Sequence, residues 1–286
     1  MPDGRRARTE FVLRSATTML HSRQSMPEFV GVLPAAGLGS RLQPYRQAKE
    51  LLPVAYVVDD DSREARPTPV VGLSLSALAA AGIRRCLVVT SPWKPELLRC
   101  LGDGSDYAMR LAYVQQASPA GLAQAIDCAY PWTRDAYTCM SLPDTLVSPS
   151  SAMARMVGRV AQDGLDLALG VFPTSIPEEL GPVRFGEDGR VYEVLDKPKN
   201  TELRNTWGMA VWSPVFGELL HESVERDEHG LVLGDVFDLA VKRGLKTRAV
   251  WFETGSFIDV GTTKGLFMLA EQASLMSVAP YSRAAG

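Results

Sequence analysis

Histidine is scarce in this chain, with three in 286 residues, and His21, His221 and His229 stand in no HExxH-like spacing. That excludes the helical zinc pattern, and any metal is expected on carboxylates instead. Cysteine is nearly as rare. Cys86, Cys100, Cys128 and Cys139 are scattered and form no CxxC pair, so they read as free or buried thiols of a reducing compartment rather than a disulfide frame or zinc site. No apolar stretch is long enough to span a bilayer. Residues 1–26 carry Arg5, Arg6, Arg8, Arg14 and Arg23 among scattered apolar positions and hold no signal-peptide core. Charge of one sign is also lacking. A formal net charge of −3 argues against a general binder of nucleic acid or membrane surfaces, while leaving room for a local basic site. The expectation is a cytoplasmic protein with small-molecule partners, no nucleic acid and no membrane.

What the chain does have is length and ordinary composition. At 286 residues, 46% hydrophobic and 22% charged, it can bury a sizeable core as one large α/β domain. Buried-strand runs at 29–33, 85–90, 110–116 and 137–142 alternate with helical segments ending at Gly82 and over 94–101, 123–129 and 151–161. This βαβα order argues for a parallel sheet covered on both faces. Ligands of such sheets bind at the carboxyl ends of strands, which points to chemistry just after Leu33, Gln116 and Leu142. The second half is richer in strands: 165–172, a hairpin of 183–185 with 191–194, 209–212 and 247–252. Helices are expected near 214–222, 234–243 and 262–273. The charged stretch 59–69 reads as an inserted, solvated loop. Residues 1–26 read as a mobile arm, or as sequence upstream of a start at Met26, and 276–286 as a tail.

The first buried strand breaks into Pro34-Ala35-Ala36-Gly37-Leu38-Gly39-Ser40, followed by Arg41 and, further on, Lys49. Small residues let the main chain turn sharply and bring its N–H groups to a ligand. Donors of that kind beside two fixed cations suit a polyphosphate. The dinucleotide pattern fails because Leu42 stands where its third glycine belongs, and the GKS/GKT ending of a P-loop is missing.

GLGSRLQP…KELLPV resembles the LAAGxGTRLxPxTxxxxKxLLPV opening of the sugar-1-phosphate nucleotidylyltransferases, and the glucose-1-phosphate thymidylyl- and uridylyltransferases in particular. The resemblance extends over roughly residues 28–273. It implies a single Rossmann-like, mixed but mainly parallel sheet flanked by helices, with a nucleotide-binding half at about 27–160 and a smaller β-rich, sugar-binding half at about 161–275. It also implies a homodimer or homotetramer.

By the same resemblance, Ala35 to Ser40 wrap the nucleotide phosphates, and Arg41 and Lys49 bind them. QQASPAGLAQA is similar to the QPSPDGLAQA segment of thymidylyltransferases. It gives Gln116 the base edge, which an amide can read as both donor and acceptor, and makes Gly121 a close-packing position. Asp144, in LPDT, and Asp259, in FIDVGT, match the two carboxylates that hold Mg²⁺. Asp196-Lys197-Pro198 matches EKP, whose acid meets sugar hydroxyls and whose lysine meets the sugar phosphate. Gly181 falls where relatives bring main chain against the sugar, and Trp207 where a TGLYxY-like strand passes it. Asp196 is one methylene shorter than the usual Glu, and Pro143, Thr145 and Trp207 also depart from the pattern.

The implied reaction joins a nucleoside triphosphate, dTTP or UTP favoured, to a sugar 1-phosphate. Two alternatives stay open. A nucleotide-sugar-dependent glycosyltransferase would use an Asp pair on a related sheet without the cationic loop, and a non-catalytic homologue would bind nucleotide without turnover.

Overall fold

Phe29–Pro34 forms β1, an interior strand of the main sheet. Val30 and Val32 point to one face of the sheet and Leu33 to the other, and all three are buried. Burial on both faces is what a parallel strand between two helical layers requires. The computed structural model describes residues 27–45, 47–58, 64–227 and 230–275. The expected arm at 1–26, the acidic start of the insertion and the tail at 276–286 lie outside them.

In chain order the remaining strands are β2 (Pro53–Val58), β3 (Ala65–Pro69), β4 (Arg85–Thr90), β5 (Arg110–Gln115), β6 (Tyr137–Ser141), β7 (Thr145–Ser148), β8 (Leu167–Pro173), β9 (Val183–Phe185), β10 (Val191–Val194), β11 (Asn205–Trp212), β12 (Thr247–Trp251) and β13 (Ser256–Asp259). The helices are α1 (Val70–Ala80), α2 (Pro95–Leu101), α3 (Leu122–Asp127), α4 (Tyr130–Thr133), α5 (Ala152–Asp163), α6 (Pro214–Glu225), α7 (Leu233–Lys242) and α8 (Thr263–Leu275). Seven strands build one sheet in the order β12-β8-β11-β6-β1-β4-β5. Every pairing in it is parallel except the two made by β11. The fold class is therefore the expected mixed, mainly parallel sheet between helices.

One face packs Leu33, Val88 and Phe172 against Leu75 and Leu78 of α1 and Met153 and Met156 of α5. The other packs Met140, Leu169 and Val171 against Phe216 of α6 and Phe237 of α7. The antiparallel β11 has a consequence for the site. Because it runs against its neighbours, its first residues, Asn205 to Trp207, reach the sheet edge at which the parallel strands end.

Two pieces differ from the sequence reading. Residues 65–69 are not loop: β3 pairs antiparallel with β2, and Val70 N–H donates to Leu52 O at 2.9 Å. Pro67 and Pro69 obscure the strand in the sequence, yet a two-stranded ribbon tolerates residues without an N–H. The second is β7, whose antiparallel partner β13 lies more than a hundred residues away. Both strands are only four residues long, too short to show a period. Among the described residues, no helix is long and apolar enough to cross a membrane.

Candidate active site

A cavity of about 550 Å³ opens at the carboxyl ends of β1, β5 and β6. Ala36, Gly37, Arg41, Lys49, Gln116, Gly121, Asp144, Gly181, Asp196, Lys197, Trp207 and Asp259 all line it. Twelve residues expected from seven separate stretches thus meet in one space. Ala35, Leu38, Gly39 and Ser40 do not line it. Ala35 is fully buried, its N–H donating to Val89 O at 2.7 Å, while Leu38 points outward at 63% exposure.

The acidic centre comes from the β7–β13 ribbon. Its register sets Asp259 opposite Thr145, and Val260 N–H donates to Asp144 O at 3.0 Å, so the two aspartates arrive side by side. Gly261 shows how tightly they converge. A Cβ there would lie 2.6 Å from Asp144 Oδ2, 2.8 Å from Asp259 Oδ1 and 2.9 Å from Lys49 Nζ. A side chain there would have to displace these groups, and the glycine leaves the two carboxylates and the ammonium room to share a point.

Cations balance the acids. Lys49 Nζ donates directly to Asp144 Oδ2, and Arg41 Nη1 lies 3.2 Å from Asp259 Oδ2. Burial pushes the Asp259 carboxyl above its ordinary range, and the neighbouring Asp144 charge adds to the shift, against the pull of Arg41 and Lys49. Burial disfavours the Lys49 ammonium, but the Asp144, Glu50 and Asp259 carboxylates outweigh it and the net shift is upward. Among the described residues, no group of three or more His, Cys, Asp or Glu side chains is arranged to hold a metal ion. A divalent cation at this point would thus rest on two carboxylates, with its other positions open to phosphate oxygens and water. Hard oxygen donors of that number suit Mg²⁺.

On one side of this centre, Gln116 is buried and its Nε2 donates to Gly121 O at 3.3 Å. Gly121 has φ 115°, ψ 177° at the start of α3, a conformation essentially reserved for glycine. The amide is thereby held at the strand end, where it lines the cavity.

On the other side, Lys197 has φ 40°, uncommon for a residue with a side chain. Its N–H donates to Leu180 O at 2.8 Å, and Trp207 N–H to Gly181 O at 2.9 Å. These bonds tie the Asp196-Lys197 turn, the Gly181 segment and β11 together. The Trp207 indole packs directly against Gly181, meets Phe237 edge-on at 5.2 Å, and buries an Nε1–H that has no acceptor among the described residues. The β11 register shifts between Trp207 and Met209, and Trp207 lines the cavity.

Sequence reading missed Glu50 and Lys94. Lys94 Nζ donates to Glu50 Oε1 at 2.8 Å, to Oε2 at 2.9 Å and to Ala35 O at 2.8 Å, all within the buried interior. Burial pushes the Glu50 carboxyl upward, and the Lys94 charge opposes it. A lone Lys in Trp93-Lys94-Pro95 and a Glu beside Lys49 carry no signal until their 44-residue separation is closed.

The model of the nucleotidyl transferase family matches residues 30–274. A glucose-1-phosphate thymidylyltransferase of Neisseria meningitidis is 32% identical over 172 residues, which are 59% of this chain and 56% of that protein. One from Mycolicibacterium smegmatis is 32% identical over 238 residues, 79% of this chain and 78% of that protein. The match to the Neisseria protein thus spans little more than half of its length. Among solved structures, a UTP-bound UGPase from Acinetobacter baumannii superposes with a TM-score of 0.68 at 20% identity, covering 87% of this chain and 95% of that one.

Proposed function

Because this chain belongs to the nucleotidyl transferase family, we propose that it joins a nucleoside triphosphate to a sugar 1-phosphate, giving an NDP-sugar and pyrophosphate. The carrying observation is the meeting of Arg41, Lys49, Asp144 and Asp259 in a cavity that Asp196 and Lys197 also line. A site with three cations and a carboxylate pair around one space suits two phosphate-bearing substrates.

In this reading an oxygen of the sugar phosphate attacks the α-phosphorus in line, the new P–O bond forms, and the bond to the β-phosphate breaks with its electrons leaving on pyrophosphate. A phosphate nucleophile is ionised near neutral pH, so alignment and charge neutralisation carry the rate. Arg41 and Lys49 hold the leaving pyrophosphate, with the main chain of Ala36 and Gly37, the loop residues that line the cavity, beside them. Lys197 orients the attacking phosphate, and its strained backbone fixes the direction from which it does so. Gln116 and Gly121 bracket the base, and Gly181, Asp196 and Trp207 the sugar. Asp144 and Asp259 would hold Mg²⁺, which would supply Lewis-acid polarisation of the phosphate under attack.

The base reading rests on Gln116, whose amide suits the uracil or thymine edge and supports UTP or dTTP. The named relatives act, by their names, on glucose 1-phosphate, which makes it the first sugar phosphate to try. A pyrophosphate-release screen of UTP, dTTP, CTP, ATP and GTP against a panel of sugar 1-phosphates tests the reading. Pyrophosphate from UTP or dTTP supports it. Release of a nucleoside diphosphate instead would mark a glycosyltransferase, and tight nucleotide binding without turnover a non-catalytic homologue.

A further inference from the structure

Lys94 is 7% exposed and Glu50 1%, and neither has a part in the chemistry above. Lysine is almost never buried without partners, and this one spends its three donors on three named acceptors: Glu50 Oε1, Glu50 Oε2 and Ala35 O. Those acceptors belong to two different pieces of the site. Ala35 opens the glycine-rich loop, and Glu50 directly follows Lys49. Two residues beyond Lys94, Glu96 Oε1 accepts the Ala48 N–H at 3.2 Å. The turn from 94 to 96 therefore holds the residues on both sides of Lys49, as well as the root of the loop.

The charge of the pair also matters where it sits. Glu50 lines the same cavity as Lys49 and Asp144. Without the Lys94 ammonium, a third carboxylate would face the place where phosphates must bind.

We infer that Lys94 is a positioning residue for the triphosphate, locking the glycine-rich loop to the Lys49 turn so that loop N–H groups and the Lys49 ammonium address one phosphate chain. This rests on the nucleotidyl-transfer reading. A buried ion pair replaced on both sides by apolar groups of similar size often costs little stability, whereas removing one partner strands a charge. Fold and function can therefore be separated.

The experiment compares wild type, Lys94→Met, the double variant Lys94→Met with Glu50→Met, and Glu96→Ala. Melting temperature, calorimetric binding of UTP and dTTP with Mg²⁺, and KM for each substrate are measured on all four. Lys94→Met is expected to lose both stability and triphosphate binding. The double variant is expected to melt near wild type yet bind triphosphate at least tenfold more weakly, with KM for the sugar 1-phosphate changed less than twofold. Glu96→Ala, which removes one bond beside Ala48, is expected to raise KM for triphosphate three- to tenfold at unchanged melting temperature, and it decides the matter should the double variant not fold. Wild-type triphosphate affinity in the double variant, or equal losses for both substrates, overturns the positioning role alone. A wild-type protein that binds no triphosphate overturns it together with the reading beneath it.

Discussion

Arg41 Nη1 stands 3.2 Å from Asp259 Oδ2, with the arginine side chain 61% exposed and the aspartate 23%. The partners are unequal in what they contribute. An exposed arginine adds little to stability through such a pair, but here it also neutralises a carboxylate that Asp144 crowds. Arg41→Ala is therefore expected to leave the melting temperature within a few degrees of wild type. It should lower kcat/KM for triphosphate by about 10²-fold, the usual scale for one lost oxyanion contact. Steady-state kinetics beside a melting curve checks both halves.

Gly261 gives the sharpest steric test. A methyl there meets Asp144 Oδ2, Asp259 Oδ1 and Lys49 Nζ within 2.9 Å, so Gly261→Ala must push at least two of them apart. Turnover is expected to fall by about 10²–10³, comparable with loss of a transition-state contact, while far-UV circular dichroism stays that of wild type. A variant with more than half of wild-type turnover would show that the two carboxylates need not be this close.

Trp207 separates packing from recognition. Its indole N–H has no acceptor among the described residues, so Trp207→Phe removes no hydrogen bond to them and keeps the edge-on contact with Phe237. The melting temperature should hardly move. Trp207→Ala, by contrast, opens the space beside Gly181 and is expected to shift the ratio of kcat/KM across a panel of sugar 1-phosphates, with KM for triphosphate unchanged. Unaltered sugar ratios would assign the indole to packing alone.

Most of the sheet was legible in the sequence because β1 and β4 each carry an apolar run and the helix between them stops at Ala81-Gly82. The site was legible only as scattered pieces. Local composition marks a glycine loop or an Asp at a strand end, but what unites Asp144 with Asp259 is the β7–β13 pairing, which no local pattern announces. Lys94 and Glu50 were invisible for the same reason: each is an ordinary surface residue until folding buries both. The strand at 65–69 was hidden by its own prolines, which argue against a central strand but not against a ribbon.

The thiols provide a test of the interior that needs no substrate. Cys86 and Cys139 lie on the strands flanking β1, and burial pushes both thiols far above their ordinary range. The thiolate is the reactive form. In native protein at pH 8, iodoacetamide is expected to modify exposed Cys100 first and half-buried Cys128 more slowly, leaving Cys86 and Cys139 untouched until denaturant is added. Peptide mass spectrometry reads the order, and equal labelling of all four would contradict the packing described.

The central claim is that Asp144, Asp259, Arg41 and Lys49 act together on a triphosphate. Its most direct test is the initial rate of pyrophosphate release from UTP or dTTP with glucose 1-phosphate, for wild type and Asp144→Asn, with Mg²⁺ and with the ion removed by chelation. The account predicts that wild type releases pyrophosphate only with the divalent ion, and that Asp144→Asn is slower by about 10² or more. Undiminished release from Asp144→Asn, or wild-type turnover unaffected by chelation, would contradict it.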